Sequence, residues 1–157
     1  MRFFVVLLCF VVSIGVSRGQ DSVNPFSLNT IDGQSLKIGD EEHVLVFFLW
    51  ETGLDVCYNE IDYLNDLYTK YKDDKVIFVA VTNDKPEKLN ALLETRDFFF
   101  HQVAGREGKR VMKIFNNNGL VRTFPRYFIL DKKGSIVTSA IGSCERIHDL
   151  IESELNK

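Results

Sequence analysis

Cysteine is scarce in this chain: there are three, Cys9, Cys57 and Cys144. That is too few to staple a domain of this size, so a disulfide-framework fold is excluded. Positive charge is not in excess either. Nineteen Lys and Arg face 22 Asp and Glu, for a formal net charge of −3, which argues against nucleic acid or an anionic membrane surface as partner. The histidines, His43, His101 and His148, are scattered. Only Cys144 and His148 stand at an i, i+4 spacing, and two ligands do not close a metal site, so no metal and no cofactor is expected. Internal repeats and low-complexity segments are also missing. What remains is a chain of 157 residues with 45% hydrophobic and 26% charged residues, enough for one domain with a proper core.

A long apolar run is missing as well. Phe3–Val16 is nearly all apolar but only 14 residues long, short of the ~18 that a spanning helix needs. Arg2 precedes it and Ser17-Arg18-Gly19 follows, which is the layout of a secretory leader spanning residues 1–19 with cleavage before Gln20. Removing it takes away Arg2, Arg18 and Cys9 and leaves a net charge of −5. The expected product is an exported domain, residues 24–157, periplasmic or secreted. The alternative is an uncleaved leader that anchors the domain to a membrane. Cys57 and Cys144 would then meet an oxidising compartment as one bridge or two free thiols.

The rest is clearly punctuated. Phe26–Ile38 holds two short alternating runs around Asp32-Gly33, a dipeptide suited to hairpin turns. Val44–Trp50 is a near-continuous apolar run, as expected for a strand covered on both faces. An amphipathic helix follows: Leu54, Cys57, Ile61, Leu64, Leu67, Tyr68 and Tyr71 fall on one side, and Asp55, Asn59, Asp62, Asn65 and Asp66 on the other. Val76–Val81 reads as a second buried strand. Asp84, Pro86 and Glu87 resemble a capping-box start for a helix carrying Leu89, Leu92 and Leu93. A short strand is expected over Phe98–Val103, a short helix over Lys109–Phe115 and a turn at Asn116–Gly119. After Phe124-Pro125 come strands at Tyr127–Leu130 and Ile136–Ile141, joined by so short a turn that they must be antiparallel. Ser143 is placed to cap a last helix bearing Ile147, Leu150, Ile151 and Leu155. The fold class is therefore α/β, with a mixed central sheet flanked by helices and an N-terminal β-hairpin.

Three landmarks carry a family resemblance: Leu49-Trp-Glu-Thr-Gly-Leu-Asp-Val-Cys-Tyr-Asn-Glu60, Pro125-Arg-Tyr-Phe-Ile-Leu-Asp-Lys-Lys-Gly-Ser-Ile136, and Ile141-Gly142 with the final helix. Together they resemble the thioredoxin-like three-layer fold, and within it the exported TlpA/ResA-like thiol–disulfide oxidoreductases grouped with the AhpC/TSA redoxins. The first landmark is similar to the family pattern F-W-A-T-W-C-x-x-C-x-x-E. Trp50 and Glu60 match it, Cys57 matches the second cysteine, and the first cysteine falls on Leu54. The resemblance implies that Pro125 is cis and that Phe124, Pro125 and Trp50 border the site where a peptide is held.

Leucine at position 54 is the departure. In a C-x-x-C pair the first thiol attacks and the second resolves the mixed disulfide. Leucine cannot attack, so the family's dithiol cycle cannot run in its usual form. Cys57 is a candidate lone nucleophile, with Glu60 as its proton relay, or else a core residue with a solvated acid beside it. A Cys57–Cys144 disulfide requires Cα atoms within about 7 Å. A typical peroxiredoxin is not supported, because no proline lies near Cys57 and Thr52 is five residues away from it. Two functions remain open. One is a thiol–disulfide redox protein working weakly on protein thiols. The other is a redox-inactive module that holds an extended peptide of a partner, chaperone-like, in the groove beside Pro125.

Overall fold

The computed structural model describes residues 22–116, 123–143 and 145–157. Strands β1 (Phe26–Asn29) and β2 (Ser35–Ile38) form an antiparallel hairpin with its own two-stranded sheet. The main sheet is built from β3 (Val44–Leu49), β4 (Val76–Val81), β5 (His101–Val103), β6 (Arg126–Leu130) and β7 (Ile136–Ile141), in the order β5-β4-β3-β6-β7. β3 runs parallel to β4 and antiparallel to β6, so Phe47 stands between Val79 and Phe128. The helices are α1 (Asp55–Tyr71), α2 (Pro86–Leu93), α3 (Gly105–Phe115) and α4 (Ile147–Leu155).

All six residues of β3 are buried, as a central strand covered on both faces requires. The two-residue period divides its side chains. Val44, Val46, Phe48 and Trp50 join one cluster with Cys57, Leu64, Leu67, Leu89 and Ile151 from the helices on that face. Leu45, Phe47 and Leu49 join the other, with Val111 and Phe115 of α3 and with Leu28 and Ile38 of the hairpin. The result is three layers, and each fully buried large apolar side chain contributes about 1.5–3 kcal/mol.

Several local expectations are corrected. β5 begins at His101 rather than Phe98, because Asn65 claims the earlier backbone. Its Nδ2 donates to the Asp97 carbonyl at 2.9 Å and its Oδ1 accepts the Phe99 N–H at 3.0 Å. Asn65 is therefore buried at 8% exposure rather than on the outer face of α1. α3 begins four residues before Lys109, at Gly105. Its Gly108 approaches β4 so closely that a Cβ there would lie 1.8 Å from the Thr82 carbonyl oxygen.

The two expected caps are absent. α2 starts after Lys85 with no side-chain cap, and Asp84 is committed elsewhere. α4 starts after Arg146, also without one. Ser143 sits too early to cap it, because Gly142 turns the chain with φ +78° and donates its N–H to the Pro125 carbonyl at 2.9 Å. The Asn116–Gly119 turn and the leader lie wholly or largely outside the described residues.

Candidate functional site

The end of β3, the start of α1 and the entry to β6 meet at one edge of the sheet. Leu49 pairs with Arg126, so continuing the ladder sets Trp50 opposite Pro125. The Phe124–Pro125 peptide bond is cis, as the resemblance implied. Pro125 is buried and Phe124 half-buried. Trp50 is fully buried, with its ring 5.4 Å from Phe98 and 6.3 Å from Tyr58.

The loop from Glu51 to Leu54 is held from two sides. Asp84 accepts the Thr52 N–H at 2.8 Å and the Thr52 hydroxyl at 2.5 Å. Lys88 donates to the Thr52 carbonyl at 2.8 Å and to Asp84 at 3.1 Å. Gly53, at φ +103°, turns the chain into α1 and donates to the Tyr58 hydroxyl at 2.9 Å. That conformation suits glycine because it has no Cβ to clash. Partial burial works against a charged Asp84, but the two Thr52 hydrogen bonds and Lys88 outweigh it, and the carboxyl lies below its ordinary value.

Leu54 occupies the helix N-cap with extended backbone and no side-chain cap, and it is 36% exposed. Its expected position on the buried side of α1 is corrected, because a residue just before the first turn does not yet follow the helical stripe. Cys57 does follow it and is wholly buried. Burial is the main influence raising the Cys57 thiol above its ordinary value, and the charges of Glu51 and Glu60 push the same way, outweighing a backbone contact at Glu51. Glu60 is 8% exposed, so it is no solvated helix acid. Tyr127 donates a 2.9 Å hydrogen bond to it from β6.

Trp50, Cys57 and Tyr127 thus share one apolar cluster against which Phe124 packs, with Glu60 tied to it through Tyr127 and Pro125 adjoining Phe124. Cys144, and with it the Cys57–Cys144 bridge, lies outside the described residues. Its i+4 partner His148 packs on Tyr71, 5.9 Å between ring centres. Among the described residues, one group has metal-ligand donors close together: Asp40, Glu42 and His43, within 4.8 Å, on the turn before β3. Asp84 and Lys88 carry no sequence signal that marks them as part of the site. Thr52 and Asp84 are 32 residues apart, so no local spacing announces the pair.

This edge can be compared with known proteins. The AhpC/TSA family model matches residues 20–139. The chain belongs to the AhpC/TSA family. This redoxin is 28% identical over 141 residues to the thiol-disulfide oxidoreductase ResA of Bacillus cereus, covering 88% of this chain and 77% of that one. It is 25% identical over 142 residues to ResA of Halalkalibacterium halodurans, with 87% and 78% covered. Among solved structures, the thioredoxin domain of a Bacteroides vulgatus thiol-disulfide oxidoreductase superposes with a TM-score of 0.71 at 20% identity, covering 87% of this chain and 97% of that one. StoA from Bacillus subtilis gives 0.68 at 21%, with 85% and 97% covered. The structural likenesses establish a thioredoxin-like fold for this redoxin, and its homologues are ResA-like thiol–disulfide oxidoreductases.

Proposed function

We propose that this redoxin is an exported member of the thiol–disulfide oxidoreductase group whose active site is degenerate, with weak or no dithiol activity of its own. The observation that carries the proposal is the pairing of an exposed Leu54 at the head of α1 with a buried Cys57 one turn later. Disulfide exchange needs an accessible thiolate to attack and a second thiol to resolve. Leu54 supplies neither. Burial and acidic neighbours hold the Cys57 thiol above its ordinary value, and the side chain has no exposed surface.

A second reading has its own support. Two large apolar side chains at the head of α1 are exposed, Leu54 at 36% and Val56 at 49%. An apolar, chemically inert lip of this kind suits a module that holds an extended segment of a partner protein. The mature charge of −5 favours protein over nucleic acid as that partner. The apolar run at residues 3–16 and the small residues after it support export.

Reduction of a protein disulfide, with dithiothreitol as the electron source, tests both readings. The native protein is expected to be near background. Leu54→Cys is expected to gain activity, since two thiols would then pass two electrons and two protons to the substrate disulfide, and the introduced sulfur would close a disulfide with that of Cys57. Native activity that disappears in Cys57→Ser would overturn the proposal.

A further inference from the structure

A cleft of about 1170 Å³ opens between the start of α2 and the outer face of α3. Its walls are strongly cationic although the chain is acidic overall. Arg106, Lys109, Arg110 and Lys113 stand at i, i+3, i+4 and i+7 on α3, which makes one stripe about 10 Å long. Lys85 faces them from the head of α2.

Their partners separate these residues. Arg110 is used internally, donating to Glu107 at 2.7 Å and to the Ser27 carbonyl at 2.5 Å, and Glu107 also accepts the Asn29 N–H at 3.0 Å. Lys85, Arg106, Lys109 and Lys113 are exposed and make no ion pair among the described residues. Of the acidic residues in the walls, Glu107 is neutralised by Arg110 and Glu87 is left without an ion-pair partner among the described residues. Four unpaired cations around one cleft repel one another, a cost that an anionic occupant would relieve. The heads of α2 and α3 add to the positive field. They pack directly together, with Pro86 Cδ 3.0 Å from where a Cβ on Gly105 would sit, and neither has a side-chain cap.

We infer that this cleft binds an acidic segment of a partner protein, one carrying several carboxylates along an extended or helical stretch. The volume and the stripe are too long for a single small anion, and they match a chain of charges spaced along a peptide. The inference goes beyond the redox reading and does not depend on it. Asp84 connects the two places, since its carbonyl accepts the Gly105 N–H at 2.8 Å and its side chain holds Thr52. A partner anchored in the cleft would therefore lie beside the Leu54 edge.

The test is fluorescence anisotropy of the whole protein with a labelled hexaglutamate peptide, read at low and at physiological salt. Binding at low salt that weakens as salt rises is expected. Lys109→Glu with Lys113→Glu should weaken it by about tenfold or more. Lys109→Gln with Lys113→Gln should weaken it less. Lys72→Glu with Lys75→Glu, exposed and at the opposite end of β4, should leave it unchanged. All these side chains are exposed, and thermal melts matching that of the native protein would establish that the variants are folded. Absence of hexaglutamate binding, or equal weakening by both reversed pairs, would overturn the inference. So would tighter binding of inorganic tripolyphosphate than of the peptide, which would assign the cleft to a small anion.

Discussion

The Cys57 N–H donates to the Leu54 carbonyl at 2.9 Å, yet the two side chains face opposite environments. Leu54 is 36% exposed and Cys57 has no exposed surface. One turn of helix thus separates the apolar lip of the site from its thiol, and the thiol is on the inside.

Alkylation follows directly from that burial. Iodoacetamide should modify Cys57 far more slowly in the native protein than after denaturation, with peptide mapping used to distinguish it from Cys144. Because burial and the charges of Glu51 and Glu60 raise the thiol above its ordinary value of 9.0, the native rate should still be climbing past pH 9. A plateau near pH 7 would show an activated thiolate and contradict the buried-thiol account.

Tyr127 and Glu60 form a second testable pair. The Tyr127→Phe change removes the donor to a carboxyl group that is 8% exposed and leaves the rest of the ring in place. The expected loss is about 1–3 kcal/mol in urea unfolding, because a buried acceptor is left with one partner fewer. A change within a few tenths of a kcal/mol would mean that water replaces the hydroxyl at no cost.

Asp84 predicts a pH dependence. Burial opposes its charge, but Thr52 and Lys88 more than compensate, and its folded-state value lies below the ordinary 3.8. A depressed carboxyl contributes stability that is fully present above its unfolded value and is lost as pH falls through the folded one. Asp84→Asn should therefore flatten the stability profile below about pH 4, where the native protein loses this contribution. Equally steep acid unfolding in both proteins would exclude the Thr52–Asp84 clamp as a contributor.

Gly108 tests the packing of α3. A methyl group there would meet the Thr82 carbonyl oxygen at 1.8 Å and its carbon at 2.8 Å. Both are backbone atoms at the end of β4, so no rotamer change relieves the clash. Gly108→Ala should cost about 3 kcal/mol or more, read as a lowered melting temperature. Gly33→Ala makes a useful contrast, since its Cβ meets no atom within 4 Å and only its positive φ opposes the change.

Much of this protein could be read from residue order, because the governing forces are local. The apolar run Val44–Leu49 and the helical spacing of Cys57, Ile61, Leu64 and Tyr71 locate the central strand and α1 without knowledge of the rest. The short link between β6 and β7 dictates that they run antiparallel. Leucine at position 54, where the resemblance would set a cysteine, is also visible in the sequence alone, and so is the proline at position 125. The elements misplaced were those whose ends answer to distant residues. Asn65 draws Asp97 and Phe99 away from the sheet, and Gly108 allows a helical turn where propensity is poor.

Tertiary structure alone decided what the site residues experience. Exposure of Leu54, burial of Cys57, and the partners of Glu60 and Asp84 depend on surfaces brought together from 32 and 67 positions apart. The cationic cleft is of the same kind: its stripe is written into α3, but Lys85 joins it only because Pro86 packs on Gly105. Periodicity records which way a side chain faces relative to its own helix or strand. What lies opposite it is determined by the packing of the layers.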